Sequence, residues 1–246
     1  MNFFKKKNDS YSIYPSIEKI DGWLNKPAAY ATVDILEWQF EKDIKGGLLE
    51  IGVFCGKYFA ILTQSALRQQ SPILGIDTFQ FAPEQRVIDE LQVIFGKGIA
   101  EKIILLKSAS EAISASDVEK LVGNCRFISI DGSHEYESVF LDLILSEQVI
   151  SCVGLIAVDD FLNPLTLGVN RAVNQFLATP RRLQPVAYTA NKLFLAHRSS
   201  APTYREAFEA IFEQGEEPFE VNFRKKRKLG RHHIEQDLYG SLVLVR

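Results

Sequence analysis

Two acidic motifs in this 246-residue chain have the composition of a reacting centre. Asp131-Gly132-Ser133-His134 starts at the last residue of the apolar run Arg126–Asp131, and Asp159-Asp160 starts at the last residue of Gly154–Asp159. Both runs stay apolar until their final residue, so the acids emerge together at one edge of a sheet. Three carboxylates so close repel one another and titrate high unless a cation neutralises them. Oxygen ligands select a hard cation, which makes Asp131, Asp159 and Asp160 candidates for holding Mg²⁺, with Mn²⁺ or Ca²⁺ as alternatives. His134, three residues beyond Asp131, can take a proton from a substrate hydroxyl near neutral pH, or can bind substrate or cap a helix instead. Asp-Gly and Asp-Asp are also ordinary turn and helix-cap chemistry. Two such motifs on adjacent strands beside a glycine turn favour function.

That glycine turn is Glu50-Ile51-Gly52-Val53-Phe54-Cys55-Gly56-Lys57, at the end of the first strand-like run. Glycines at a strand-to-helix turn let the backbone bend sharply and come close to a ligand. Twenty-one residues after Gly56, the second run ends in Gly75-Ile76-Asp77. An acid there can accept hydrogen bonds from both ribose hydroxyls. The arrangement suits NAD or S-adenosylmethionine, and the glycine count separates them. A dinucleotide fingerprint needs a second glycine so that the backbone can touch the pyrophosphate. Phe54 stands at that place and obstructs it. S-adenosylmethionine has no phosphate, and its ammonium and sulfonium favour a nearby carboxylate such as Glu50.

The elements that must position these residues follow from periodicity. Five strand-like runs, Leu48–Val53, Ile73–Asp77, Ile103–Lys107, Arg126–Asp131 and Gly154–Asp159, alternate with helical stretches at Lys57–Gln69, Pro83–Phe95, Ala109–Val122 and Glu135–Ile150. Strands apolar throughout are buried on both faces, the habit of parallel sheets, and their alternation with helices implies right-handed βαβ units. Arg171–Leu177 reads as a further helix, and Pro185–Ala190 and Lys192–His197 as two strands at the far edge. The tail adds a helix at Tyr204–Glu213 and a short strand at Ser241–Val245.

A chain that is 46% hydrophobic and 24% charged has the composition of a globular protein and excludes a disordered or collagenous one. Arg224–Arg231 holds six Lys or Arg and no acid, so a chain of net charge −3 leaves −9 for the rest. An acidic body argues against a nucleic-acid partner. The longest apolar stretch, Leu141–Val158, is interrupted by Asp142, Glu147 and Gln148 and does not read as a membrane span. Cys55, Cys125 and Cys152 stand far apart, without metal or disulfide spacing. Cys125 and Cys152 read as core, and a cytoplasmic location fits best.

The segments GLLEIGVFCGKYFAIL, ILGIDTF, FISIDGSHEYESVFLDL and GLIAVDDF together resemble the class I methyltransferases of the small-molecule and sugar O-methyltransferase group, which are more distantly related to catechol O-methyltransferase. The resemblance covers about residues 46–197. It implies an α/β, Rossmann-like doubly wound fold, a mostly parallel seven-stranded sheet with helices on both faces. It also implies S-adenosylmethionine bound at Glu50, Gly52, Gly56 and Asp77, with Ser110 near the adenine. Metal-dependent relatives imply a catalytic Mg²⁺ on Asp131, Asp159 and Asp160, and His134 as general base.

The expected division is residues 1–44 as an N-terminal helical or lid segment, 45–198 as the cofactor-binding domain, and 199–246 as an extension packed on it. Terminal segments of this kind often form the pocket for a small-molecule acceptor or the contacts of a homo-oligomer. The basic run Arg224–Arg231 reads as a solvated loop, and Lys192 as a surface lysine. Two other classes stay open on the residues alone: an NAD-dependent oxidoreductase, and a non-catalytic small-molecule binding protein that has kept the fold.

Overall fold

The structure, a computed structural model, describes residues 11–246; residues 1–10, with the Lys-rich start, lie outside the described residues. Two helices, α1 (Tyr14–Ile17) and α2 (Lys26–Glu41), lead into β1 (Gly47–Ile51). Then α3 (Lys57–Gln69), β2 (Ile73–Asp77), α4 (Glu84–Phe95), β3 (Ile104–Lys107), α5 (Ala115–Val122), β4 (Cys125–Ile130), α6 (Tyr136–Val149) and β5 (Ile150–Val158) alternate as expected. The chain continues through α7 (Leu167–Leu177), β6 (Leu183–Thr189), β7 (Lys192–His197), α8 (Ala201–Glu213), α9 (Pro218–Leu229), β8 (Glu235–Leu238) and β9 (Ser241–Val245).

The strands form one sheet in the order β3-β2-β1-β4-β5-β7-β6-β9-β8. β1 to β5 pair in parallel, β7 is antiparallel to β5 and β6, and β9 runs parallel to β6. The order reverses between β1 and β4, and ligands in open α/β sheets sit at the carboxyl ends beside such a switch.

Alternation along each strand feeds two cores. Leu48, Phe127, Leu155 and Phe194 face α2, α3 and α8, whereas Leu49, Ile128, Ile156 and Leu195 face α5, α6 and α7. Both faces are covered, which is why the strands read as unbroken apolar runs.

Four features differ from expectation. The sheet has nine strands rather than seven, because the C-terminal hairpin of β8 and β9 extends it past β6. The strand pair β6 and β7 therefore lies inside the sheet, not at its far edge. The run Ala109–Val122 is interrupted: a 3₁₀ turn at Ser110–Ala112 precedes α5, which starts at a capping box in which Ser114 Oγ accepts from Asp117 N at 3.3 Å.

Most of the basic run is helical, with Arg224–Leu229 in α9, and is not a solvated loop. Arg227 pairs with Glu209 at 3.1 Å and with Glu213 at 2.5 Å, and Arg231 with Glu235 at 2.5 Å. Acids on α8 and β8 thus neutralise one side of the run. Cys152 is exposed rather than core, because it lies in an irregularity of β5 where the register with β4 shifts between Cys125 and Phe127. Among the described residues no helix is long and apolar enough to cross a membrane.

Candidate active site

β1 and β4 meet at their carboxyl ends. Gly52 donates to Ile76 O at 2.9 Å, and Asp131 N donates to Ile51 O at 2.8 Å. Gly52 has φ +85°, and a Cβ placed there would lie 2.0 Å from the Asp131 carbonyl oxygen. The glycine is required because the glycine turn abuts the first acidic motif, a reason beyond ligand approach. Gly56, also left-handed, forms the N-cap of α3.

Asp77 ties this turn together. Its Oδ2 accepts from the backbone N–H groups of Val53 and Phe54, both at 2.8 Å, and its Oδ1 accepts from Phe79 at 2.7 Å. Those bonds hold Phe54 at φ +50°, an uncommon conformation for a bulky residue. The predicted ribose acceptor therefore also shapes the loop that precedes α3, with carboxylate lone-pair capacity remaining for a ligand.

Glu50 is buried at the end of β1, and its Oε2 finds no hydrogen-bond partner among the described residues. Burial, then the charge of Asp131, pushes its carboxyl well above the usual range, with Lys192 opposing. An orphaned buried carboxylate oxygen fits a ligand ammonium, which would supply the missing donor and favour ionisation. Ser110 lies in its 3₁₀ turn beyond β3, partly exposed, on the same edge of the sheet.

The acids after β4 and β5 do come together, but in a different pattern from the three-acid set. Donor atoms of Asp131, His134 and Asp160 all lie within 4.8 Å of one another. Asp159 is turned to Lys192, whose ammonium stands 2.9 Å from Asp159 Oδ2. Asp160 is the most constrained residue of the group. It sits at φ +59°, its Oδ1 accepts from Asn191 at 2.6 Å and Asn163 at 2.9 Å, and its Oδ2 faces His134 Nε2 at 3.1 Å. Two carboxylates and an imidazole, one of them half exposed to solvent, fit a divalent cation that accepts nitrogen as well as oxygen, a set closer to Mn²⁺ than to Mg²⁺.

His134 is positioned from below by α7. A Cβ on Gly168 would lie 2.2 Å from the His134 carbonyl oxygen, so only glycine lets that helix start pack against the motif. The hydrogen bond that its Nε2 donates to Asp160 holds the imidazole above its usual 6.5, and the same contact holds the Asp160 carboxyl below its own usual value. The sign of the linkage is opposite for the two partners. The His134 contribution to stability is complete below the ordinary imidazole value and is lost as pH rises through the raised one. The Asp160 contribution is present above the ordinary carboxylate value and is lost as pH falls. An NMR titration of metal-free protein should find His134 titrating above the free-imidazole value, and lower in Asp160→Asn. Identical values in the two proteins would rule out the pair.

Lys192, Asn191, Asn163 and Gly168 were not legible as site residues. Lys192 is fully buried and not a surface lysine, with its ammonium 4.3 Å from the centroid of the Tyr58 ring. His197, His232 and His233 contribute to no candidate metal group among the described residues.

Comparison with known proteins bears on the fold. Residues 49–161 match the family model described as a methyltransferase domain. Solved structures share the fold at low identity. The O-methyltransferase NovP is 15% identical, with 69% of this chain and 80% of that chain covered at a TM-score of 0.59. CalS11, a TDP-rhamnose 3′-O-methyltransferase, is 13% identical, with coverage of 80% and 96% and a TM-score of 0.53. The O-methyltransferase TomG from Streptomyces achromogenes, in complex with S-adenosylmethionine, is 12% identical, with coverage of 80% and 90% and a TM-score of 0.53. No curated protein matches the chain. Residues 49–161 are therefore similar to a methyltransferase domain, and the chain shares the fold of solved O-methyltransferases.

Proposed function

We propose that the protein transfers a methyl group from S-adenosylmethionine to a hydroxyl of a small molecule of the sugar or natural-product type, with His134 as the base. The observation that carries this reading is the abutment of the Gly52 turn and the Asp131 motif, which sets a donor site and a proton acceptor side by side. The relatives NovP, CalS11 and TomG support the choice of oxygen as the atom methylated.

Glu50 would accept from the donor's ammonium and Asp77 from its ribose, with Ser110 beside the adenine. The acceptor hydroxyl would approach between His134 and the sulfonium. Its oxygen forms the new bond to the methyl carbon, the carbon–sulfur bond breaks with its electron pair going to sulfur, and the hydroxyl proton passes to His134 Nδ1, because Nε2 faces Asp160. Asp160 orients the imidazole and stabilises the imidazolium as it forms, and it is itself fixed by Asn163 and Asn191. Holding both substrates in line supplies a large share of the rate, and general-base assistance adds about 10²–10⁴. A divalent cation on Asp131, Asp160 and His134 would supply positive charge that acidifies a hydroxyl near it. An imidazole bound to that ion is not free as a base, so the fractions of His134 in the two roles would shift with metal concentration.

Exposed Leu162 and Leu165 follow Asp160 on its loop, exposed Leu167 begins α7, and Trp23 lies 6.2 Å from Phe54, centroid to centroid. These apolar groups suit an acceptor with an apolar body beside its hydroxyl. Incubation with S-adenosylmethionine labelled in its methyl group and a panel of sugar nucleotides, phenols and glycosides tests the proposal. The expected result is label in an ether linkage to one acceptor class. Label transferred to nitrogen or sulfur acceptors alone would contradict it.

A further inference from the structure

Lys192 is the first residue of β7. Its neighbour Leu193 pairs with Val158 of β5, so the backbone register sets Lys192 beside Asp159, the residue just after that strand. The side chain is 1% exposed, and its ammonium lies 2.9 Å from Asp159 Oδ2. Lysine is almost never buried this fully without a carboxylate to compensate it. Asp131 also lies near it, and the Tyr58 ring at 4.3 Å presents its face to the same ammonium. Tyr58 is itself fixed, its hydroxyl 2.8 Å from that of Thr32 on α2.

The lysine is therefore a cation held by the fold within the carboxylate group. Asp159 is paired with Lys192 while staying beside Asp131, and the donor atoms of Asp131, His134 and Asp160 come together next to that pair. We infer that Lys192 withdraws Asp159 from metal ligation and leaves Asp131, Asp160 and His134 as the seat of a divalent cation. Lys192 is a positioning residue that acts through Asp159. Its own positive charge also opposes a dication nearby, so the lysine sets how weakly the site holds metal. This inference rests on the proposed methyltransferase reading only for the purpose of the site, and its test needs neither cofactor nor acceptor.

The test is binding of Mn²⁺ alone to the full chain, read by electron paramagnetic resonance of the free ion. Wild type, Asp160→Asn, Lys192→Met and the double variant Lys192→Met with Asp159→Asn are compared. Asp160→Asn should weaken binding. Lys192→Met should tighten it by about 10–100-fold, the range typical of residues that orient metal ligands, because Asp159 is released towards the ion and a repelling charge is gone. The double variant removes a neutral pair and remains informative even where the single one fails to fold. It should bind Mn²⁺ no more weakly than wild type.

A double variant that loses as much affinity as Asp160→Asn would make Asp159 a ligand and overturn the inference. Mn²⁺ bound by Lys192→Met and not by wild type would also overturn it, because Asp131, Asp160 and His134 would then not hold the ion without Asp159. Absence of binding in all four proteins would overturn it, whereas the methyltransferase reading is judged separately by cofactor binding.

Discussion

Gly52→Ala is expected to lower the stability of the chain by about 2–6 kcal/mol, the sum of a strained left-handed residue and an overpacked contact. The added methyl would lie 2.0 Å from the carbonyl oxygen of Asp131, and neither backbone segment can retreat, because each is hydrogen-bonded into the sheet. For a chain of this size the melting temperature should fall by roughly 5–20 °C. Cofactor binding should weaken in parallel, since any relaxation displaces the turn that precedes α3. Gly98→Ala is the control: a Cβ there meets nothing within 4 Å, and its melting temperature should stay near that of wild type. Equal, small changes in the two variants would mean that β1 and β4 do not abut as described.

The second large effect is at the proton acceptor. His134→Ala should lower the rate of methyl transfer at saturating cofactor by about 10²–10⁴, and the loss should shrink as pH rises, because more of the acceptor is then ionised without help. Asp160→Asn should lose at least as much. It removes the charge that stabilises the imidazolium, and it removes one of the donor atoms available to a cation. Turnover close to wild type in His134→Ala across the whole pH range would exclude the histidine as base.

How far the sequence alone reaches is clearest at individual residues. β2 and α3 fall on Ile73–Asp77 and Lys57–Gln69, the bounds read from periodicity, because a strand buried on both faces and a helix with one apolar stripe leave unmistakable patterns. Asp131, Asp159 and Asp160 lie at the ends of β4 and β5 as their position after apolar runs requires. The pairing among them was not legible. Asp159 and Lys192 are 33 residues apart in sequence, and a lone lysine reads as surface because burial is tolerable only where acids already gather. Asn191 falls in the gap between the strand-like runs Pro185–Ala190 and Lys192–His197, yet its amide fixes Asp160 and its backbone carbonyl accepts from Phe161 at 3.1 Å.

The C-terminal region failed for a related reason. The sequence Glu235–Leu238 has no apolar alternation, so β8 exists only because β9 offers it a partner. The basic run Arg224–Arg231 lacks an apolar stripe and is held by Glu209, Glu213 and Glu235 on other elements. Tertiary charge pairing of that kind carries no local signature.

Calorimetric titration of S-adenosylhomocysteine into the metal-free protein tests the central claim most directly, because it asks for the cofactor site without requiring an acceptor. Wild type should bind one equivalent. Asp77→Ala should bind far more weakly, since it loses the ribose acceptor and the bonds that hold Val53 and Phe54 in place. Failure of the wild type to bind, or unchanged affinity in Asp77→Ala, would contradict a methyl-donor site at the ends of β1 and β2.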